Sequence, residues 1–413
     1  MSKRLKALVL TWGLLWLGLG LLAGLGFLVG IGESDWRVSL GAMVPLAVGL
    51  VGGGLTVFFA ARSIGKRPAW PFRLPPTWAL AGGFVLALAV ALGLWQADVS
   101  QGFLMPIFVA AAAILAPLAV IGWMIGRQAE GVNARQGWVA LGLGATASTS
   151  AAYVLNTLLP TAVLFLVSGL AGTMLPLAED LMDALMFGPL TEELLSPWFL
   201  VALVEIAIVA PLVEELVKPL PLLPLLKRLE SPRDALLLGA LAGAGFAAVE
   251  NLLYVALVGS AWGGVLAARA LGAALHPFGA GLMAVAWWHT LRHESGSAAR
   301  WFRNYGLAVG AHALWNGTCV VAAAVGYVWF QGWEVDLLGV TDAAVLLALL
   351  AVEGIGLLVA LRALARRLEP IPKEGEPVTQ PPILPTERAL AVWGLACLVV
   401  LLPVGSGVLQ AVW

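Results

Sequence analysis

Apolar runs of roughly 20 residues follow one another along the whole chain, near 7–31, 39–61, 77–96, 103–126, 138–160, 198–222, 235–258, 265–290, 304–328, 341–366 and 389–409. About 20 such residues take a helix across a hydrocarbon layer. Inside that layer only helices or closed barrels satisfy every backbone polar group. The pattern predicts an all-α, polytopic helical membrane protein of about 11 transmembrane helices. Composition agrees, with 61% hydrophobic and 11% charged residues, where a soluble domain carries about 25% charged residues.

Charge sets the orientation. With the N-terminus placed in the cytoplasm, 20 of the 23 Lys and Arg residues fall on the cytoplasmic ends of these runs, and only Arg37, Lys218 and Arg269 do not. A wrong span count would scramble that alternation, so the positive-inside rule supports eleven spans with the N-terminus inside. The opening Met-Ser-Lys-Arg-Leu-Lys resembles a signal peptide, but the run from Ala7 to Gly32 is longer than an h-region and is read as a retained first span. The net charge of −1, without a basic patch, argues against a nucleic-acid partner. Cys319 and Cys397 both fall in apolar runs, which argues against a disulfide framework or a thiolate metal cluster.

Four regions follow. Residues 1–137 form a four-helix membrane region and 138–197 a fifth span plus an acidic outside loop with Glu179, Asp180, Asp183, Glu192 and Glu193. Residues 198–328 hold four spans, and 329–413 hold two more around a Pro-rich cytoplasmic linker, 369–388.

The region 198–328 breaks the apolar pattern from within. It carries Glu214-Glu215-Leu-Val-Lys218, Glu250-Asn251, His276, and His312 with Asn316. Ionisable groups inside a bilayer cost several kcal/mol, at roughly 2.5–3.5 kcal/mol each on insertion scales, and mark functional sites by default. At about 1.5 Å per residue, Glu214 lies roughly 20 Å from the inside surface and Glu250 and His276 roughly 24 Å. His312 and Asn316 lie roughly 14 and 20 Å from it. Four successive spans thus carry polar groups to overlapping depths. Glu214 and Lys218 share a helix face, as do His312 and Asn316, and Phe246 and Glu250. Glu215 points about 100° away from Glu214 and is read as an orienting neighbour. His289 and His293 are read as solvated, Glu205 and Glu353 as structural or groove-lining, and Glu192-Glu193 as a decoy that lacks the following lysine.

Carboxylates, imidazoles and a lysine in one layer can activate water and stabilise an oxyanion. Glu214 is the expected general base, with Glu250 and His276 completing the water-activating cluster. Glu214, Glu250, His276 and His312 also form a chemically sensible set for zinc, although no HExxH is present. A proton-coupled transporter using the buried Glu/His layer and a scaffold using polar clasps remain open on these residues.

Glu214-Glu-Leu-Val-Lys218, Phe246-Ala-Ala-Val-Glu250-Asn251, His276 and His312-Ala-Leu-Trp-Asn316 resemble the PrsW family of intramembrane proteases, which carries EExxK, FxxxEN and two later histidines in successive spans. That family is related to the CAAX-protease and bacteriocin-processing family, with EExxxR, FxxxH and HxxxN. The resemblance implies cleavage of a membrane-anchored protein in the bilayer of a bacterial cell, in the manner of site-1 cleavage of an anti-sigma factor. It also implies that His312 and Asn316 donate to the oxyanion, and that Lys218, Asn251 and Phe246 support the site. Both metallo- and glutamic-type mechanisms are consistent with it, as is processing of prenylated proteins or peptides.

Overall fold

The computed structural model describes residues 3–33, 35–97, 102–125, 128–171, 201, 203–258, 262–330, 341–368, 394 and 397. The acidic stretch 179–193, the linker 369–388 and nearly all of the expected span 389–409 lie outside the described residues.

The N-terminal part contains α1 (Lys3–Gly32), α2 (Trp36–Ala47), α3 (Gly54–Ile64), β1 (Pro71–Arg73), α4 (Thr77–Gln96), α5 (Leu104–Ile125) and β2 (Gln128–Asn133). Then come α6 (Ala134–Leu143), α7 (Thr149–Ala171), α8 (Ala210–Val217), α9 (Leu223–Leu226), α10 (Pro232–Leu257), α11 (Trp262–Leu271), α12 (Leu275–Leu291), α13 (Ser297–Phe330) and α14 (Thr341–Arg367). Among the described residues seven helices are long and apolar enough to cross a membrane, or up to eight when one bent pair is counted as a span. The protein is therefore an all-α, multi-pass membrane protein. Leucines on the outer face of α1, such as Leu8, Leu21, Leu22 and Leu28, are exposed, as befits a lipid-facing surface.

Several contacts join helix ends and the loops beside them. Lys6 Nζ, at the start of α1, donates to the Ser63 carbonyl at the end of α3 (2.8 Å). Strands β1 and β2 pair antiparallel, so the chain after α3 meets the chain after α5. Trp288 Nε1, at the end of α12, donates to the Leu229 carbonyl just before α10 (3.1 Å). The Arg362 guanidinium, near the end of α14, covers the Trp123 ring at the end of α5 (4.7 Å). These pairings join loops that the charge pattern assigns to a common side.

Two of the expected spans are broken, and proline explains both. The run 198–222 folds as a π-helical turn (Glu205–Val209), then α8, then a short 3-10 turn (Leu220–Leu222). Pro211 cannot donate an N–H to the carbonyl five residues back, and Pro219, Pro221 and Pro224 prevent α8 from continuing. The run 265–290 folds as α11 and α12, bent by 41°. Pro277 has no N–H for the carbonyl of Ala273, and its ring crowds that position. Trp315, from α13, fills the bend, where a Cβ on Gly272 would strike its ring.

Helix α10 is the centre of the bundle, with 94% of its most apolar window buried. Small residues let it pack at backbone distance. A Cβ at Gly243 would fall on the His276 carbonyl, so α10 and the first turn of α12 touch main chain to main chain.

Candidate functional site

Four elements bring their polar side chains into one buried layer: α8, α10, α13 and the α11–α12 pair. Glu214 is 6% exposed, Glu250 9% and His276 2%, and Glu215, Lys218 and His312 are each 0% exposed. Lys218 is the hub on one side. Its ammonium donates to Glu215 Oε1 (2.5 Å) and to His276 Nδ1 (2.8 Å), and lies 3.4 Å from Glu214 Oε2. It also rests 4.6 Å from the Phe246 ring centroid. The i,i+3 partner, Glu215, is thus closer to the lysine than the i,i+4 partner on its own helix face. Glu215 also accepts from His312 Nδ1 at 2.8 Å.

The second side is built around Glu250. Its Oε2 lies 2.7 Å from His276 Nε2 and 2.8 Å from Arg269 Nη2. The two imidazoles meet edge to face, with ring centroids 5.0 Å apart. Each histidine therefore has one ring nitrogen against a glutamate: His312 Nδ1 on Glu215 and His276 Nε2 on Glu250. That is the outer-sphere arrangement that orients metal-ligating histidines in general.

Unfilled polar atoms point to the middle of the layer. Among the described residues, Glu214 Oε2 and His312 Nε2 are buried without a hydrogen bond, and they lie 3.8 Å apart. Buried polar atoms are usually satisfied, so such pairs mark a place that a further group can fill. Glu214, His276 and His312 each offer a ligand atom within 4.8 Å of the others. Glu214, Glu215 and Glu250 bring three carboxylates to the layer, and Lys218 and Arg269 bring two cations. Glu214, His276 and His312 could therefore hold a divalent ion, with Glu250 and Glu215 behind the two rings, once the Lys218 ammonium moves off His276 Nδ1.

Asn316 sits at the edge of this layer. Its Nδ2 donates to the Ile206 carbonyl at 2.9 Å. That carbonyl belongs to the π-helical turn and lacks its regular partner because the residue five places on is Pro211. Replacing Asn316 by Ala should lower kcat by less than about tenfold and reduce the melting temperature, through loss of a hydrogen bond worth about 1 kcal/mol and an orphaned carbonyl. An oxyanion donor would instead cost about 10²–10³ in kcat, so kinetics and melting measured together separate the two roles.

Three further residues reach the layer without a sequence signal of the same kind. Asn156 Nδ2 donates to Glu214 Oε1 (3.3 Å). Ser148 Oγ donates to the Lys218 carbonyl (2.8 Å), which the prolines after it leave free. Arg269 had one trace in the sequence: it is among the three basic residues that the charge alternation left over. Outside the layer, Glu353 accepts from Thr318 Oγ1 (2.7 Å), and His289 Nδ1 pairs with Glu294 Oε2 (2.6 Å) at the basic end of α12.

A glycine makes the close fit possible. A Cβ at Gly279, one turn beyond His276, would collide with the Glu215 carboxylate. Gly279→Ala should cost about 1–3 kcal/mol of stability through overpacking and reduce activity with it. Gly82→Ala, where nothing lies within 4 Å of the added methyl, should not lower the melting temperature. Parallel melts of the two variants check this.

A multi-pass bundle with carboxylates, imidazoles and cations in a buried layer has the make-up of an intramembrane hydrolase. Residues 134–350, over half of the chain, match the family model of the PrsW family intramembrane metalloproteases, and the chain belongs to that family. The match begins at α6, so it takes in Ser148 and Asn156 as well as the motif-bearing spans. No curated protein and no solved structure matched the chain.

Proposed function

We propose that this protein hydrolyses a peptide bond of a membrane-anchored protein, of the anti-sigma-factor type, from within the bilayer. The observation that carries this reading is the pair Glu214 Oε2 and His312 Nε2, buried without a hydrogen bond and grouped with His276 within 4.8 Å. The charge alternation supports a cytoplasmic N-terminus and eleven spans, and the family resemblance supports a bacterial plasma membrane.

Glu214 is the general base. Its Oε1 is held by Asn156, and its Oε2 takes a proton from the attacking water and delivers it to the leaving amine nitrogen. Glu215 and Glu250 hold the rings of His312 and His276 in fixed orientation. The Lys218 ammonium, 3.4 Å from Glu214 Oε2, places positive charge where the oxyanion develops. Zinc is the ion we assign to Glu214, His276 and His312, and when bound it would supply a Lewis acid and a more acidic water. Glu214 would then both help hold the ion and carry the proton.

The test is cleavage of a single-span reporter by purified full-length protein in detergent, with the product mapped by mass. Cleavage within or at the edge of the reporter's span, lost in Glu214→Gln, is the expected result. Proton flux without cleavage in liposomes would move the site to the transporter class.

A further inference from the structure

Arg269 is one of three cations outside the cytoplasmic charge pattern, and the fold gives it a place. It sits near the end of α11, just before the bend into α12. Its Nη2 lies 2.8 Å from Glu250 Oε2 and 3.4 Å from His276 Nε2. Its Nε donates to Asn251 Oδ1 at 2.6 Å, and the guanidinium covers the Tyr254 ring at 4.4 Å. Asn251 is itself anchored, because its Nδ2 donates to the Ala113 carbonyl on α5 (3.3 Å). One planar fork therefore ties Glu250, Asn251 and Tyr254, three positions along one stretch of α10, to the approach of His276. The side chain is only 11% exposed, so these contacts are shielded from competing water.

We infer that Arg269 is a positioning residue. It holds the Glu250 carboxylate on the Nε2 edge of His276 and thereby keeps Glu250 out of the ion-holding set Glu214, His276 and His312. A carboxylate in the same buried layer, if unpaired, would be drawn to a divalent ion there. A guanidinium opposes this better than an ammonium, because its fixed fork engages Glu250 and Asn251 at once. Glu250 then acts through the imidazole, as outer partners of metal-bound histidines do. This inference rests on the ion site proposed above.

The test uses cobalt(II) as the probe, on purified full-length protein without substrate. Visible absorption of bound cobalt reports coordination number and ligand type. Wild type should bind one cobalt. Arg269→Gln should give a weaker, shifted band as Glu250 joins the ion, and Arg269→Gln/Glu250→Gln should return the wild-type band. Cleavage by Arg269→Gln should fall about 10–100-fold in kcat with KM little changed, and Arg269→Lys should recover part of it. If Arg269→Gln fails to fold, Arg269→Lys carries the same spectral comparison, with a smaller shift expected. An Arg269 variant that binds cobalt with the wild-type spectrum would overturn the inference while leaving the ion site standing. A wild-type protein that binds no cobalt would overturn the ion site itself, and this inference with it.

Discussion

Glu214→Gln should lose about 10²–10⁴ in kcat, the share typical of a positioned general base, or about 3–5 kcal/mol of barrier. KM should change little, and the melting temperature should fall less than in Glu215→Gln, whose contact with Lys218 is the shorter. The reason is local geometry. The new side-chain oxygen can keep the hydrogen bond from Asn156 Nδ2, which reaches Glu214 Oε1 at 3.3 Å. The new amide would stand where Oε2 has no hydrogen bond to lose, although its 3.4 Å ion pair with the Lys218 ammonium goes. What disappears is the ability to accept a proton from water, together with one carboxylate ligand of the proposed ion. Glu215→Gln is the informative contrast. Glu215 bridges the Lys218 ammonium (2.5 Å) and His312 Nδ1 (2.8 Å) at 0% exposure. Removing one partner of such a buried pair costs about 3–5 kcal/mol, so this variant should lose stability together with activity. Reporter cleavage and thermal melting of both proteins in one detergent check the pair. Equal cleavage by Glu214→Gln and wild type would sink the mechanism.

The second large effect is expected from the ion. Dialysis against a chelator should abolish cleavage, and stoichiometric zinc should restore it, because a Lewis acid at the reacting carbonyl is worth several kcal/mol, or about 10³-fold. His312→Asn is the variant of choice. An Asn amide can replace Nδ1–H as donor to Glu215, which spares the buried pair, but it offers nothing in place of Nε2. Its zinc content should fall from about one equivalent toward none, since a three-ligand site loses one of its ligands, with only a small change in melting temperature. His276→Ala should lose zinc as well and also leave Glu250 with Arg269 alone. Metal analysis of the three preparations, run beside the reporter assay, reads all of this. Undiminished cleavage by metal-free wild type would assign the chemistry to Glu214 without an ion.

Much of this protein can be read from its pattern of apolar and polar residues. Membrane insertion is decided by local hydrophobicity over about 20 residues, a short-range property, so the all-α multi-pass class follows from the chain directly. The polar residues of the layer were also legible, because hydrocarbon makes each of them costly. Helical rise alone placed Glu214, Glu250, His276 and His312 at comparable depths. Their family resemblance rests on those same residues, and the family match over 134–350 carries it to more than half of the chain.

Depth does not give rotation or partners, and here the tertiary structure decided. Periodicity set Glu215 about 100° away from Glu214, yet the tight crossing of α12 at Gly279 gives the Glu215 carboxylate a place beside His312. The prolines after Lys218 and the one just after His276 break two spans into pieces whose ends re-aim the side chains. Those breaks depend on how freed carbonyls find partners, such as Ile206 with Asn316 and Lys218 with Ser148, and such partners are distant in sequence. Arg269 is the plainest case. The sequence by itself showed only that this arginine did not belong with the cytoplasmic charges. The packing of α11 against α10 made it the partner of Glu250 and Asn251. Hydrophobicity determines which segments enter the membrane, residue by residue. Which polar groups meet there depends on helix rotation and bend, and these are set by close packing among segments far apart in the chain.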